Sequence, residues 1–552
     1  MAGLLSDVKY SDHAVSEVAG PSSPPSPVVG QHDTNNIDGP PRGMSTALDK
    51  RDMWRMGKIQ ELRRYFGPWA ILGFASILGC AWEYALITVI WSLPNGGPAG
   101  AVYMFLACIV GLFLSTLSLA EMSSIAPSAG GQYHWISEFA PRSIQKLLSY
   151  LVGWLTVLGW QVGLASVSYA AAVQLEGLAI LVNPSITFQG WHATLFTIAI
   201  ALVAVLFNTV LVEKLPVFEF IILILHVAAY IAFEVVLLAM GPQSSRKQVF
   251  EQWNNENEWP SLSTAVLIGI IAPVTTLTSA DSICHLAEEL KDASKWLPRC
   301  MVGAAALNFS ISFLMLLTVL FRAGDIEAAI NSPTGQPYIE ILLNATGSVP
   351  GTAIMVAYII LSLMFCAINM VTTSSRQLYS FARDGGLPFS RFFSKVSSRN
   401  MIPMNAVCAT LVFTVILSLV LIGSSLAFNI IASLGAAAIL GSYLISISCI
   451  TYRKLTGYNL PTTRFPLGKL GLPINILALC FLSLAFVLVF FPAAPNPTPE
   501  SMNWVSLIFG SVMLLALVMF VAKKRHEYTG PVVQVRREEE WDDTELDSKR
   551  MS

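Results

Sequence analysis

The lysines and arginines of this chain divide unevenly between the two sides of a membrane when its apolar runs are treated as spans. With twelve spans and the N-terminus inside, 30 of the 33 basic residues lie in inner segments, and the outer loops hold only Arg246, Lys247 and Arg322. Basic residues are retained in the cytosol during insertion, so this partition fixes the number and the orientation of the spans together. The sequence therefore predicts an all-α polytopic membrane protein with twelve transmembrane helices and both termini in the cytosol.

Composition supports one membrane domain flanked by polar tails. Of the 552 residues, 54% are hydrophobic and 12% are charged, which does not suit a soluble chain of several domains. Residues 1–65 are rich in Ser, Pro, Gly, Asp and Asn and bury too little apolar surface to order themselves. We expect a disordered cytosolic tail at 1–65, a twelve-helix domain at 66–522 and a cytosolic tail at 523–552. The first span would serve as its own insertion signal.

The apolar runs have the length of about 20 residues that is needed to cross roughly 30 Å of hydrocarbon. The predicted spans are 67–92, 99–122, 147–173, 193–212, 217–240, 262–283, 301–321, 351–372, 404–422, 427–450, 472–491 and 503–522.

Two of these spans are interrupted at matching places. The first contains Gly73, Ser76 and Gly79 and continues into Trp82 and Glu83, and the sixth contains Pro273 followed by TTLTSAD at 275–281. They open two five-span halves, 67–240 and 262–450, which the two extra helices of 472–522 follow. Paired interruptions indicate a transporter with inverted repeats, in which half-helix ends face a substrate at the membrane midplane. The alternative is that Gly and Pro only permit close helix packing.

Four motifs carry a resemblance to a known family. They are GGPAGAVY (96–103), SLAEMSSIAPSAGGQYHWISEFAPR (118–142), HLAEELKDASKWLPR (285–299) and SSRQLYSFARDGGLPFSRFF (374–393). With them, residues 65–525 resemble the amino acid-polyamine-organocation superfamily, particularly the fungal amino acid/choline permeases, which include GABA and choline permeases. The resemblance implies a LeuT-like core of ten helices in a 5+5 inverted repeat plus two extra helices, and secondary transport. The absence of a GxxxxGK[ST] phosphate loop agrees with transport that does not use ATP.

The expected function is import of a small amino acid or amine, GABA-like or choline-like, coupled to protons. The plasma membrane is the expected location and the vacuolar membrane is the alternative. Two other functions stay open: movement of a metabolite or precursor of a biosynthetic pathway, and nutrient sensing as a transceptor. The expected partners are the small-molecule substrate, protons and the lipid bilayer. We expect no enzymatic activity, cofactor, metal or nucleic acid, because no metal-ligand spacing and no nucleophile with a base at an i, i+4 offset occurs in the spans.

Carboxylates and backbone ends around the two interruptions are the candidate substrate ligands. Glu83 and Asp281 would face a substrate ammonium or carry a proton, because ionisable groups within membrane spans are costly and usually functional. An interhelical hydrogen bond for Glu83 and a helix cap for Asp281 are the alternatives. Trp82 offers an aromatic face to a quaternary amine, as do Tyr84 and Trp160, although packing is the commoner role of such residues. The full candidate set is Gly73, Ser76, Gly79, Trp82, Glu83, Thr275, Ser279 and Asp281.

Other polar residues are candidates for proton coupling, gating and glycosylation. His226 and Glu219 in the fifth span are the coupling candidates, since imidazole changes charge near cellular pH, and a structural role is the alternative. Glu121, Glu288 and Glu289 lie at the cytosolic mouths and would form inner-gate ion pairs with the basic side chains of the RQLYSFARDGG loop. The gate candidates are Glu121, Glu288, Arg376 and Arg383. Asn344 begins a glycosylation sequon in the outer loop 322–350.

Overall fold

The computed structural model describes residues 45–398, 401–420, 422, 427–457, 460–499, 501–528 and 530–531. These residues are helical or irregular, apart from two isolated bridges, Phe66 with Leu290 and Asn95 with Asn255.

The first half of the described chain runs from a short helix on the predicted cytosolic side to the predicted outer loop after the fifth span. Its helices are α1 Ala47–Arg55, α2 Pro68–Gly79, α3 Ala81–Ser92, α4 Gly97–Ile125, α5 Gln132–Phe139, α6 Gln145–Val182, α7 Gly190–Thr209, α8 Leu215–Met240 and α9 Arg246–Phe250.

The second half begins with another broken helix and ends with the peripheral spans. Its helices are α10 Leu262–Ile268, α11 Ile271–Leu277, α12 Ala293–Arg322, α13 Ile326–Ile330, α14 Pro337–Thr346, α15 Val349–Arg383, α16 Ser390–Phe393, α17 Met404–Val420, α18 Ala427–Leu455, α19 Gly471–Leu488, α20 Val505–Met519 and α21 Arg525–Glu527. A 3₁₀ helix at Ser282–Leu286 follows α11.

The described residues include 11 helices that are long and apolar enough to cross a membrane. The predicted ninth span corresponds to α17, an apolar helix of 17 residues that is shorter than the others. The all-helical polytopic fold predicted from the sequence is thereby confirmed. The division into two halves at 67–240 and 262–450 stays a prediction.

Burial separates the central spans from the peripheral ones. The most apolar window of the first span is 83% buried inside the protein, whereas those of the spans that contain α8 and α20 are only 22% and 11% buried. An apolar helix that leaves most of its side chains outside the protein suits a lipid-facing position. The broken first span is therefore central, and packs against α8, α12 and α15.

The two interruptions take different forms. Cys80 separates α2 from α3 with a single left-handed residue (φ 39°, ψ 40°), so the first break spans one position. In the sixth span, α11 ends at Leu277 and residues 278–281 precede the 3₁₀ turn. The first break lies later than predicted, because Gly73 and Ser76 belong to the continuous helix α2.

The described structure includes residues at both ends that the sequence analysis assigned to the tails. Residues 1–44 lie outside the described part of the chain, but 45–65 form α1 and an irregular segment that contacts the predicted cytosolic end. The buried Asp49 carboxylate accepts hydrogen bonds from the backbone amides of Asp292 and Ala293, which anchors this segment. At the other end, the Tyr528 side chain is buried beside Tyr150, and residues 532–552 lie outside the described part.

The three basic residues predicted outside lie together at one end of the helices. The backbone amide of Ser244 donates to the Phe321 carbonyl, and the Arg322 guanidinium donates to the Gly241 carbonyl, so the start of loop 241–261 adjoins the end of α12. Asn344 is exposed on α14 in the next outer loop. Its glycosylation stays a prediction.

Candidate functional site

A cavity lies where the two interruptions meet. It has a volume of about 90 Å³ and is bounded by the first break, the sixth-span break, α6, α15 and α18. Its lining comprises Leu78, Gly79, Tyr84, Gly159, Trp160, Gly163, Ser166, Thr275, Thr276, Thr278, Ser279, Met370, Ile431, Ala432, Gly435, Ala436 and Ile439. The paired interruptions therefore border one shared space.

A larger vestibule joins this cavity on the predicted outer side. The vestibule has a volume of about 340 Å³, and Thr275 and Ala432 line both spaces. Asn95, Asn257 and Asn503 contribute polar walls from predicted outer loops. The cavity thus adjoins a larger space on the predicted outer side.

Hydroxyl groups and aromatic rings dominate the polar character of the cavity. The hydroxyls of Thr275 and Thr278 donate to the carbonyls of Ile271 and Val274, so their remaining lone pairs are free to accept from a bound cation. Tyr84 and Trp160 add aromatic surface. Charged side chains do not occur among the described lining residues, so any ionic attraction comes from groups behind the wall.

Asp281 lies directly behind the Trp160 wall and does not line the cavity. Its carboxylate is fully buried and accepts hydrogen bonds from the Tyr443 hydroxyl at 2.5 Å, the Gln132 amide at 2.6 Å and the Trp160 indole at 3.2 Å. Three donors from three helices stabilise the ionised form of a carboxyl group. The Trp160 indole is the connection between this carboxylate and the cavity.

Glu83 faces away from the cavity into a second buried cluster. Its Oε1 atom lies 2.9 Å from Nδ1 of His226 and accepts a hydrogen bond of 2.6 Å from the Ser362 hydroxyl. Oε2 of Glu83 and Nε2 of His226 have no hydrogen-bond partner among the described residues. Trp82 belongs to the same cluster, where its ring stacks on Tyr358 at 5.9 Å. The substrate roles of Glu83 and Trp82 stay predictions, and direct contact would require these side chains to turn.

Gly73, Ser76 and Glu219 lie on the packing surface between α2, α8 and neighbouring helices. A β-carbon at Gly73 would lie 2.2 Å from the Glu219 carbonyl oxygen, so this glycine permits close approach of α2 and α8. The Ser76 carbonyl accepts from Asn308, and the Asn369 amide donates to the buried Glu219 carboxylate at 3.1 Å. The backbone amides after Gly73 lie within a continuous helix, which differs from the free amides that the sequence suggested.

Ion pairs link separate segments of the chain at the predicted cytosolic end. Arg383 donates to both carboxylate oxygens of Glu288 at 2.8 and 2.7 Å, and the fully buried Arg376 donates to Glu289 at 2.8 Å. Glu121 instead pairs with Lys454 at 2.5 Å. Two of the three glutamates therefore pair with basic side chains of the RQLYSFARDGG motif, and their function as a gate stays a prediction. The sequence predicted a loop here, but residues 376–383 of the motif form the end of α15.

The N-terminal segment adds a further ion pair to this end. The Lys58 ammonium lies 3.2 Å from the Asp384 carboxylate, which also accepts a hydrogen bond of 2.8 Å from the Tyr133 hydroxyl. Burial lowers the pKa of Lys58, and Asp384 partly opposes that change. Burial alone would raise the pKa of Glu288, but the charge and hydrogen bonds of Arg383 lower it to about 2. These carboxylates are therefore ionised at cellular pH.

Comparison with known proteins places this architecture in a family. The family model of amino acid permeases matches residues 70–514. The chain belongs to the amino acid permease family. It is 28% identical to the choline transporter of Saccharomyces cerevisiae over 85% of this chain and 83% of that protein. It is 27% identical to amino-acid permease 2 of Neurospora crassa over 90% and 92% of the two chains.

Membership fixes the general activity of the chain. The permease is a multi-pass membrane transporter for amino acids or amines, and it is not an enzyme. Among the described residues, no group of three or more His, Cys, Asp or Glu side chains is arranged to hold a metal ion.

The structure adds residues to the site of the permease that the sequence analysis did not single out. His285 lies within 3.5 Å of Asp281, and Gln132 and Tyr443 donate to the same carboxylate. The i, i+4 spacing of Asp281 and His285 was available in the sequence as a signal. No local pattern pointed to Gln132 or Tyr443, because they come from α5 and α18.

Proposed function

We propose that the permease is a secondary active importer of a small amino acid or amine, GABA-like or choline-like, driven by protons across the plasma membrane. The observation that carries the proposal is the cavity at the two interruptions, which adjoins an outer vestibule while ion pairs close the opposite end. An importer needs such an outward-facing state to receive its substrate.

The chemistry of the cavity supports a compact substrate with positive charge. The described lining lacks basic side chains. The hydroxyl oxygens of Thr275 and Thr278 carry lone pairs that suit contact with a cation. The rings of Tyr84 and Trp160 would attract a quaternary ammonium, whose diffuse charge cannot donate hydrogen bonds. The buried Asp281 carboxylate adds negative potential behind the Trp160 wall. The relatives of the permease include the choline transporter named above, which is a precedent for an amine substrate.

Proton coupling is supported by carboxylate–histidine pairs in the membrane. Asp281 with His285 and Glu83 with His226 are both fully buried, at distances of 3.5 and 2.9 Å. Imidazole changes charge near cellular pH, so a buried histidine that lies beside a carboxylate is a candidate proton carrier. One of these pairs would bind and release the coupling proton during a transport cycle.

Radiolabelled uptake tests the proposal. The full chain is expressed in a permease-deficient yeast, and uptake of choline, GABA, proline and a polyamine is measured at external pH 5 and 7.5. We expect uptake of at least one compound to exceed that of the empty vector and to fall when the proton gradient is collapsed. Uptake of none of these compounds by surface-located protein would contradict the substrate class, and uptake that is indifferent to the gradient would contradict proton coupling.

A further inference from the structure

One ring nitrogen of His285 has a defined protonation state. Nδ1 lies 2.9 Å from the backbone carbonyl oxygen of Ala129, and a carbonyl oxygen only accepts hydrogen bonds. Nδ1 therefore carries a hydrogen atom. If the ring is neutral, Nε2 must be the nitrogen with the lone pair.

The other ring nitrogen faces a carboxylate oxygen. Nε2 of His285 lies 3.5 Å from Oδ2 of Asp281, within ion-pair distance, but it has no well-aligned hydrogen bond among the described residues. Both side chains are fully buried. A lone pair held against a carboxylate without water is unfavourable, whereas a proton between the two atoms converts the contact into an ion pair. The geometry is that of a binding site for one proton.

The groups around this pair are neutral donors or charges that already have partners. The carboxylate is contacted by the neutral donors Tyr443, Gln132 and Trp160, and the Cys284 thiol is the next ionisable group on the same turn. From the inner end, the nearest charges on the same segment and on α15 are already paired. These are Glu288 with Arg383, Glu289 with Arg376, and Asp384 with Lys58.

The pair also connects three helices to the cavity. The donors to Asp281 come from α5, α6 and α18, and one of them, the Trp160 indole, belongs to the cavity wall. An unprotonated pair has a net charge of −1 and holds these donors strongly. A protonated pair has no net charge and holds them less strongly, which would ease separation of the helices at the inner end.

We propose that Asp281 and His285 together form the site of the coupling proton and that His285 is the group that gains and loses it. One proton binds at Nε2 from the outer side, accompanies the substrate, and leaves Nε2 toward the cytosol, so each cycle moves one positive charge in addition to that of the substrate. This inference rests on the proposed function, which it deepens by assigning the coupling residue.

Two substitutions at His285 separate proton binding from structure. His285→Asn keeps an amide near the position of Nδ1, which preserves the bond to Ala129 and removes the group that faces Asp281. His285→Gln places an amide near the position of Nε2, which supplies a donor that cannot titrate. His192→Gln is the matched control, because His192 lies at the start of α7, where its Nδ1 accepts from the Gln189 backbone.

Transport of choline in proteoliposomes that contain the full chain gives the first readout. A gradient of two pH units supports about 100-fold accumulation for one coupled proton, since each unit is about 1.4 kcal/mol. We expect both His285 variants to exchange choline in counterflow but not to concentrate it, so that the inside-to-outside ratio stays about one. His192→Gln should behave as wild type. Gradient-driven accumulation at the wild-type level in either His285 variant would overturn the assignment, as would loss of coupling in His226→Gln alone.

A measurement without substrate keeps this inference distinct from the proposed function. The tryptophan fluorescence of the purified protein is titrated from pH 5 to 8, and the signal of Trp160 is isolated by subtracting that of Trp160→Phe. We expect a one-proton transition in wild type that is absent from both His285 variants. If no compound of the panel is transported, the proposed substrate class fails while this titration still decides the proton site. A transition that persists unchanged in His285→Asn and His285→Gln would refute the assignment.

Discussion

Removing the charge of Glu288 should loosen the predicted inner gate. Both oxygens of this carboxylate accept from Arg383, and the side-chain exposures are 0% for Glu288 and 15% for Arg383. In Glu288→Gln the guanidinium keeps its place in a nearly dry environment without the carboxylate that it contacts directly. Breaking a buried pair by removing one partner costs about 3–5 kcal/mol. The partial exposure of Arg383 favours the lower figure, which corresponds to roughly a hundredfold change in an equilibrium constant.

The lost free energy destabilises the conformation whose inner end is closed. The fraction of molecules that are open to the cytosol should therefore rise. A cysteine at Ser166, in the cavity wall, reports that opening through its reaction with an impermeant maleimide added to inside-out vesicles. We expect labelling up to about a hundredfold faster in Glu288→Gln, up to the rate of a fully open state. The parent chain without the Ser166 cysteine corrects for the native cysteines. Labelling at the wild-type rate would refute the view that this ion pair closes the inner end.

Glu213→Gln is the matched control. Glu213 pairs with Arg63 at 3.4 Å on the same predicted side, but the exposures of the two side chains are 64% and 32%. An exposed ion pair contributes about 0–1 kcal/mol, so the labelling rate should change by less than about fivefold.

The same pair predicts how the gate responds to pH. Because the folded-state pKa of Glu288 is lowered to about 2, its contribution to stability is fully present above the ordinary value of 4.5 and is lost only as pH falls toward 2. Protonation of Glu288 should therefore not change the labelling rate of the Ser166 cysteine between pH 5 and 8. A pH dependence of transport in that range must come from another group.

Three further predictions test packing, substrate recognition and topology. Gly73→Ala should reduce thermal stability and surface expression, because the new methyl group would lie 2.2 Å from the Glu219 carbonyl oxygen, whereas Gly510→Ala meets no described atom within 4 Å and should express normally. For choline uptake, Tyr84→Leu should raise KM by roughly 2- to 30-fold through loss of about 0.5–2 kcal/mol of cation–π attraction, while Tyr84→Phe should retain most of the affinity. A cysteine at the exposed Ser245 should react with an impermeant maleimide on intact cells and a cysteine at the exposed Ser398 should not; the reverse pattern would contradict the predicted orientation.

The sequence predicted the membrane fold well because its signals are long and summed over many residues. Span length and the distribution of basic residues do not depend on the position of any one side chain, so twelve apolar segments were correctly recognised, even though α17 has only 17 helical residues. The interruption at 275–281 was also visible, since polar residues after Pro273 do not suit a lipid-facing helix.

The site was less predictable because its side chains come from distant helices. Gly79, Thr275 and Ser279 line the cavity as expected, but the neighbouring Gly73 is a packing glycine, since α8 approaches it too closely for a side chain. Which face of α3 carries Glu83 depends on the rotation of that helix against α8 and α15. A sequence motif contains the spacing of residues along one helix and no information on that rotation.

A carboxylate follows the helix before each interruption at the same distance along the chain. Glu83 lies four residues after Gly79, the last residue of α2, and Asp281 lies four residues after Leu277, the last residue of α11. Because the two spans are predicted to run in opposite directions, Glu83 would lie on the outer side of the cavity and Asp281 on the inner side. Each carboxylate contacts a buried histidine.

The partners of these two carboxylates differ in a way that bears on their roles. Glu83 bonds to His226 and Ser362, which lie on α8 and α15, the helices that pack around the first span. Asp281 bonds to the Trp160 indole in the cavity wall and to donors near the inner end. A substrate that displaces the indole would remove one donor from Asp281 and raise the proton affinity of its pair with His285, since a carboxylate with fewer donors binds a proton more readily. Substrate and proton would then favour each other's binding, which is the thermodynamic condition for carrying both in the same direction.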